Sequence, residues 1–322
     1  MAEDYTYIVA RLRALEATMP ERAWFERLAR TPGANLLGAL REHYRGFEEV
    51  SSPADFEQAL EAEKLSTLDL ITGLLREERP RQFVRAGYDF DNLTHAWKAA
   101  KLGARPAITS FGLVPPEVME QEATGRSRGT LAAYLDKHLE MLEAVYEETK
   151  SLAACEYAGE AAKWRFLFEI APDENAKKHL GFKIDWINIK SFVRLRKSAI
   201  RKEALDTVWL EGGEIETARF KSLLREPEEE FFSFIATTSC ARVLGFCLAS
   251  EMPLWMVDVA MRQALMEMTG QSRYRFFDFS PVLYHIELRE RDFEILRRVI
   301  VDTLNRIPEA MVLERVNALL PS

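Results

Sequence analysis

Asp89-Phe90-Asp91-Asn92-Leu93, with Lys98 and Lys101 further on, returns 96 positions later as Asp185-Trp186-Ile187-Asn188-Ile189 with Arg194 and Lys197. Each member keeps its place: the aspartate, the aromatic residue after it, the asparagine three positions on, and two later bases. Downstream, Leu113-Val114-Pro115-Pro116-Glu117-Val118 is answered by Leu210-Glu211-Gly212-Gly213-Glu214-Ile215 at an offset of 97. A third copy is visible at the two ends of the chain. Phe25, Leu28, Arg30, Pro32, Leu36, Leu37 and Leu40 correspond to Phe220, Leu223, Arg225, Pro227, Phe231, Phe232 and Ile235, each 195 positions on. Asp292-Phe293 with Leu296 and Ile300 echoes Asp89-Phe90 with Leu93 and Trp97, shifted by 203. A fixed period governs architecture before any local pattern does, because each copy must form the same kind of unit. Three copies account for the 322 residues with little left over, and the expected modules are 1–104, 105–200 and 201–322.

Apolar residues recur at helical rather than alternating spacing, which predicts an all-α chain. Tyr7, Ala10, Leu12 and Leu15 mark a first helix, with a turn at Met19-Pro20. The series from Phe56 through Leu60, Leu65, Leu68, Ile71 and Leu74 runs on towards Arg79-Pro80. A long stripe from Leu131 through Leu135, Leu139, Leu142 and Tyr146 predicts one helix reaching towards Leu152, and Phe276, Phe279, Leu283 and Ile286 lead into another that ends near Asn305. Breaks are expected at 103–116, 171–181, 210–213 and 270–275. With only 15 Gly and 13 Pro, a turn-rich β-sandwich is disfavoured.

The net charge of −8 argues against nucleic-acid binding, which needs clustered Lys and Arg to neutralise phosphates. Met-Ala-Glu-Asp-Tyr at the start has no basic region followed by an apolar core, so no signal peptide is expected. The most apolar stretch, 241–266, is interrupted by Arg242, Glu251, Pro253 and Asp258; it predicts two buried helices meeting near Pro253 rather than a membrane span. Three cysteines (Cys155, Cys240, Cys247) without a CxxC pair fit reduced packing residues.

At the start of an apolar helical series, Asp89 and Asp185 suit helix N-caps, accepting from the amides of Asn92 and Asn188, with the later bases complementing the helix dipole. Asp89-x-Asp91-Asn92 fails as a calcium loop, since Thr94 stands where that loop needs glycine. His43, His95, His138, His179 and His285 never pair at ligand spacing, and Gly212-Gly213 lacks the lysine and hydroxyl of a phosphate loop. Glu228-Glu229-Glu230 before Phe231-Phe232 reads as a solvated helix start beside a core face. No catalytic, cofactor-binding or metal residue is assigned.

Four patches, in order along the chain, carry a resemblance: Tyr5-x-Tyr7-x-x-Ala10-Arg11-x-Arg13-Ala14-Leu15-Glu16; Tyr88-Asp89-x-Asp91-Asn92-Leu93 running on to Lys101-Leu102-Gly103; Ile184-Asp185-x-x-Asn188-Ile189 with Leu210-x-Gly212-Gly213; and Arg289-Glu290-x-Asp292-Phe293-Glu294-Ile295-Leu296-Arg297. Together they resemble the central-stalk coupler of rotary V-type and A-type ATPases, known as the C-type component in prokaryotes and the d-type component in eukaryotes. Two features depart from the family's pattern. Arg289 and Asp292 stand where Lys and Glu are expected, and Val301-Asp302-Thr303-Leu304-Asn305 replaces a basic, glycine-containing turn.

The resemblance implies an all-α funnel of three similar helical bundles about a pseudo-threefold axis, lying in the cytoplasm and attached peripherally through the complex. Its narrow side would meet the membrane proteolipid ring, and its cavity would receive the rotor shaft, built of D-type and F-type components. The function implied is torque transmission between the ATP-hydrolysing head and the ring, for proton or sodium transport, without chemistry of its own. Lys98, Lys101, Arg194 and Lys197 are candidate contact residues. Two other readings remain open: a helical-repeat scaffold recruiting soluble partners on a concave face, and an all-α enzyme holding magnesium between Asp89 and Asp185 as terpene-type synthases do.

Overall fold

The computed structural model describes residues 5–125, 129, 131–197, 209–241 and 254–320. Among these residues every regular element is a helix. The chain divides into two compact units, Met1–Leu75 with Ala249–Ser322, and Arg76–Leu248. The aspartates of the first two motif copies belong to the second unit, and Asp292 belongs to the first.

The first unit holds α1 (Thr6–Glu16), α2 (Arg22–Ala29), α3 (Leu36–Arg41) and α4 (Phe56–Leu74), then α12 (Leu254–Gly270), α13 (Ser280–Leu304) and α14 (Glu309–Leu319). Helix α13 is its centre, packed by α1, α2, α4, α12 and α14. Its buried residues lie all round its first half, as a central helix requires, while Arg297, Val301 and Leu304 are exposed further on. Phe25, Leu28, Leu36 and Leu40 join Ile295, Leu296, Val299 and Ile300, and Val312 and Val316, in one core cluster.

The second unit holds α5 (Glu78–Leu102), α6 (Pro116–Ala123), α7 (Ala133–Thr149), α8 (Leu152–Ile170), α9 (Glu174–Lys197), α10 (Thr217–Leu223) and α11 (Glu228–Ile235). Helix α5 packs against α6, α7 and α8. Phe90, Leu93, Met119, Leu131 and Leu135 form one part of this core, and Trp97, Leu142 and Cys155 another. Around α9 the packing is aromatic: Phe192 stacks on Phe231 at 3.8 Å, and Trp209 on Phe220 at 5.2 Å.

The 195-residue echo holds in burial. Phe25, Leu28, Leu36 and Leu40 on α2 and α3 are buried, as are Phe220, Leu223, Phe231 and Ile235 on α10 and α11. Glu21 and Glu216 occupy the N-cap positions of the corresponding first helices. Glu228, Glu229 and Glu230 form the first turn of α11, ahead of buried Phe231.

Several local expectations are corrected. On α1 the buried face is Ile8, Val9 and Leu12, whereas Tyr7 and Ala10 face solvent. Pro80 does not end a helix but lies in the first turn of α5, where its missing N–H has no intrahelical role. The stripe on α7 stops at Thr149, because Lys150 turns left-handed (φ 52°) and Ser151 accepts from the Ala154 amide to begin α8. Gly181 is inside α9 rather than in a break. Phe276 precedes α13 in an exposed turn, with Phe279 as the N-cap residue. Residues 242–253, including Cys247 and most of the apolar stretch around Pro253, lie outside the described residues; Cys155 and Cys240 are free and buried.

Helix α13 ends in a reversal that glycine usually makes. Arg306 has φ 56°, its N–H donates to the Thr303 carbonyl, and the Ile307 N–H donates to the Asp302 carbonyl at 2.9 Å. A side chain in this conformation costs about 1 kcal/mol or more. Arg306→Gly is therefore expected to raise unfolding stability by about 1 kcal/mol in denaturant titration; unchanged or reduced stability would contradict the reading.

Candidate functional site

The repeated aspartates are not helix caps. Asp89 lies in the middle of α5 and Asp185 in the middle of α9, both fully buried. Each carboxylate instead reaches across to a loop downstream, ahead of a short helix. Asp89 Oδ1 accepts from the amides of Leu113 (2.9 Å) and Val114 (3.0 Å), while Oδ2 accepts from the Tyr134 hydroxyl at 3.2 Å. Asp185 Oδ2 accepts from the Glu214 amide at 2.8 Å and Oδ1 from the Ile215 amide at 3.2 Å.

The asparagine one turn on lies on the same helix face and completes the clasp. Asn92 donates from Nδ2 to the Thr109 carbonyl at 2.8 Å and accepts from the Thr109 amide at 3.0 Å. Asn188 does the same with Leu210, at 2.8 and 2.9 Å. Both clasps thus fix a loop at two points, immediately before short helix α6 or α10.

This pairing resets the downstream register. The loop residues correspond at an offset of 101, Gly112-Leu113-Val114 with Gly213-Glu214-Ile215, rather than the 97 suggested by matching leucines. The glycines explain why. A Cβ on Gly112 would lie 2.1 Å from Asp89 Oδ1, and one on Gly213 would lie 2.0 Å from Asp185 Oδ1. Position 85 of the first copy corresponds to 181 of the second, and the two copies hold the loop differently there. Arg85 donates to the Gly112 carbonyl at 3.3 Å, whereas Gly181 lets the Gly212 carbonyl approach the helix itself, 3.2 Å from where a Cβ would stand.

Burial of a carboxylate costs several kcal/mol, and each hydrogen bond to a charged group offsets about 1.5–3 kcal/mol. Burial prevails at both sites. It raises the Asp89 pKa against the amides of Val114 and Leu113, and pushes Asp185 up to about 6 against those of Ile215 and Glu214.

The third aspartate is held differently. Asp292 is buried on α13 and accepts from its neighbour Arg291, at 2.7 Å from Nη2 and 3.1 Å from Nε. Its pKa is raised by burial, against the Arg291 charge. Ile295 stands where the other copies have asparagine, so no side-chain amide is available to pin a loop.

Several of the remaining candidates have structural partners. Asp91 pairs with Lys163 at 2.8 Å, and Lys163 also meets Glu160. Lys98 pairs with Glu156, and Lys101 with Glu143 at 2.8 Å. Arg194 is exposed on α9, and the Lys197 side chain lies outside the described residues. His138 is held by Thr94 at 2.9 Å and its pKa falls to about 4 through burial, while His285 lies 3.2 Å from Glu16. Among the described residues no group of three or more His, Cys, Asp or Glu is placed to hold a metal ion. Asp89 commits its oxygens to its own loop and to Tyr134, and Asp185 commits its oxygens to its own loop. Among the described residues, too, no helix is long and apolar enough to cross a membrane.

The family model of the ATP synthase (C/AC39) subunit matches residues 8–315, nearly the whole chain. The chain belongs to that family. A comparison with curated proteins gave no match. In this member of the C/AC39 family the repeated signature residues are therefore architectural: they tie a loop and its short helix to a long helix.

Two predictions test the clasp. Gly112→Ala and Gly213→Ala should each lower stability by at least about 2 kcal/mol, since a carboxylate or the loop backbone must move. Gly73→Ala, within α4 and with open space around it, should be neutral or stabilising by up to about 1 kcal/mol; equal effects at all three positions would refute the packing argument. The second concerns pH. Native Asp185 titrates at about 6, above an unfolded carboxylate near ~4, so the native state binds the proton more tightly. Its contribution is complete below pH ~4 and is lost as pH rises through about 6. Wild type should accordingly gain stability relative to Asp185→Asn as pH falls from about 7 to about 4.5, read by urea titration; a pH-independent difference would exclude it.

Proposed function

We infer that this chain is the central-stalk rotor component of a V/A-type ATPase, joining the rotor shaft of the ATP-hydrolysing head to the membrane proteolipid ring. Its work is mechanical, with no reaction of its own, and it supports transport of protons or sodium through the ring. The observation that carries this reading is the family match over residues 8–315, and the clasps add a physical reason. A part that transmits torque must not let its short helices slide on its long ones. Buried charge-assisted bonds, at least two per aspartate, resist such sliding better than apolar contacts, which carry no directional preference.

The reading extends to the arrangement of modules. Residues 1–104, 105–200 and 201–322 are taken as three related helical bundles about a pseudo-threefold axis. Shaft components of the D and F type and the proteolipid ring are the partners, and attachment to the membrane is peripheral.

The test is reconstitution. Purified chain, a detergent-solubilised proteolipid ring and shaft components are mixed at moderate salt and analysed by native mass spectrometry. A complex containing one copy of this chain bridging shaft and ring is expected. Failure to bind either partner would end the proposal.

A further inference from the structure

We propose that the turn joining α12 to α13, residues 273–277, is an interfacial anchor that binds an anionic lipid surface. The inference rests on the coupler reading only in that this reading brings the chain beside a membrane.

Phe277 is 84% exposed, Tyr274 61% and Phe276 42%. Three large rings in four positions face water, while Phe279, two residues on, is fully buried. Clustered exposed apolar side chains of this kind mark a contact surface.

The turn is also built to hold them there. The amide of Gln271 donates to the Glu267 carbonyl, Ser272 to Thr269, Arg273 to Gly270 and Arg275 to Ser272. Asp278 Oδ1 accepts from the Ser280 amide at 3.0 Å. At the root, the guanidiniums of Arg13 and Arg273 lie over the Tyr274 ring at 5.4 and 4.7 Å and over Tyr284 at 5.2 and 5.7 Å. Tyr5, the residue preceding α1, lays its ring edge-on to Phe279 at 6.0 Å.

The pattern of charge points to lipid. Arg273 and Arg275 alternate with the aromatic residues, and Asp278 is the acid beside the turn, 3.6 Å from Arg275. The turn's charge is thus opposite in sign to the chain's net −8, so an anionic surface attracts the turn while repelling the rest. Aromatic rings settle at the headgroup level, and adjacent guanidiniums meet phosphates there. Exposed rings interleaved with cations on one turn suit shallow insertion into a headgroup layer.

The test uses the full chain with phosphatidylcholine vesicles, with and without about a third phosphatidylglycerol, in a sedimentation assay. Binding to the anionic vesicles alone is expected, weakening as salt rises. The double variant Phe276→Ser, Phe277→Ser should lower partitioning at least roughly tenfold and Arg275→Ala roughly fivefold. Both should leave the circular dichroism spectrum and melting temperature unchanged. Wild type that ignores anionic vesicles, or a double variant that binds them as well as wild type, overturns the anchor.

A parallel arm mixes the double variant with detergent-solubilised ring and shaft. Intact assembly with lost vesicle binding supports the proposal. Lost assembly with retained vesicle binding makes the turn a protein contact and overturns it. Vesicle binding by a wild-type chain that joins neither ring nor shaft would sink the coupler reading while leaving the anchor standing.

Discussion

A carboxylate buried in the middle of a helix has no backbone donor within reach on that helix, because the amides there are already committed to carbonyls one turn back. It must find donors elsewhere or stay protonated. Asp89 and Asp185 find them in a loop further along the chain, ahead of the next described short helix. That need organises much of the second unit. The loop has to return to the middle of the helix, it must place glycine at the point of closest approach, and the short helix that follows has to start where the clasp releases it. Asn92 and Asn188 hold the loop at a second point, preventing it from pivoting about the carboxylate.

The first unit meets the same requirement by another means. Asp292 takes its compensation from Arg291, a side chain adjacent in sequence, and Ile295 replaces the asparagine. Other buried charges on α13 are also met by side chains: Glu287 by Arg262 at 2.9 Å, and Asp302 by Arg315 at 2.7 Å. Asp292 Oδ2 and the Tyr44 hydroxyl have no hydrogen-bond partner among the described residues. Burial, with Asp292 as the next contributor, raises the tyrosine's pKa. Ion pairs on a central helix tolerate packing from many sides, which fits the arrangement of α1, α2, α4, α12 and α14 around α13.

The motifs thus acquire a meaning different from the chemical one their residue types invite. Paired acids usually suggest metal or proton transfer, yet the acids of the repeated motif are answered by amides or a guanidinium. A member of the C/AC39 family built in this way has these polar residues committed to rigidity.

The all-α class and most helix positions can be read directly from the apolar period, because a helix buries one stripe whatever surrounds it. The paired Asp-x-x-Asn motifs, and with the four patches the family, are also present in the order of residues. Details requiring a partner across space are not. The roles of Asp89 and Asp185 depend on amides 24 to 30 residues away, so a local reading turns them into caps. The loop register shifts by four positions, since leucines align well in sequence while the contacts select the glycines that touch the carboxylates. The face of α1, the fate of Pro80 and the left-handed Lys150 likewise follow from what packs nearby. Periodicity and repetition are properties of the chain itself; donor, acceptor and close approach come into being only when distant segments meet.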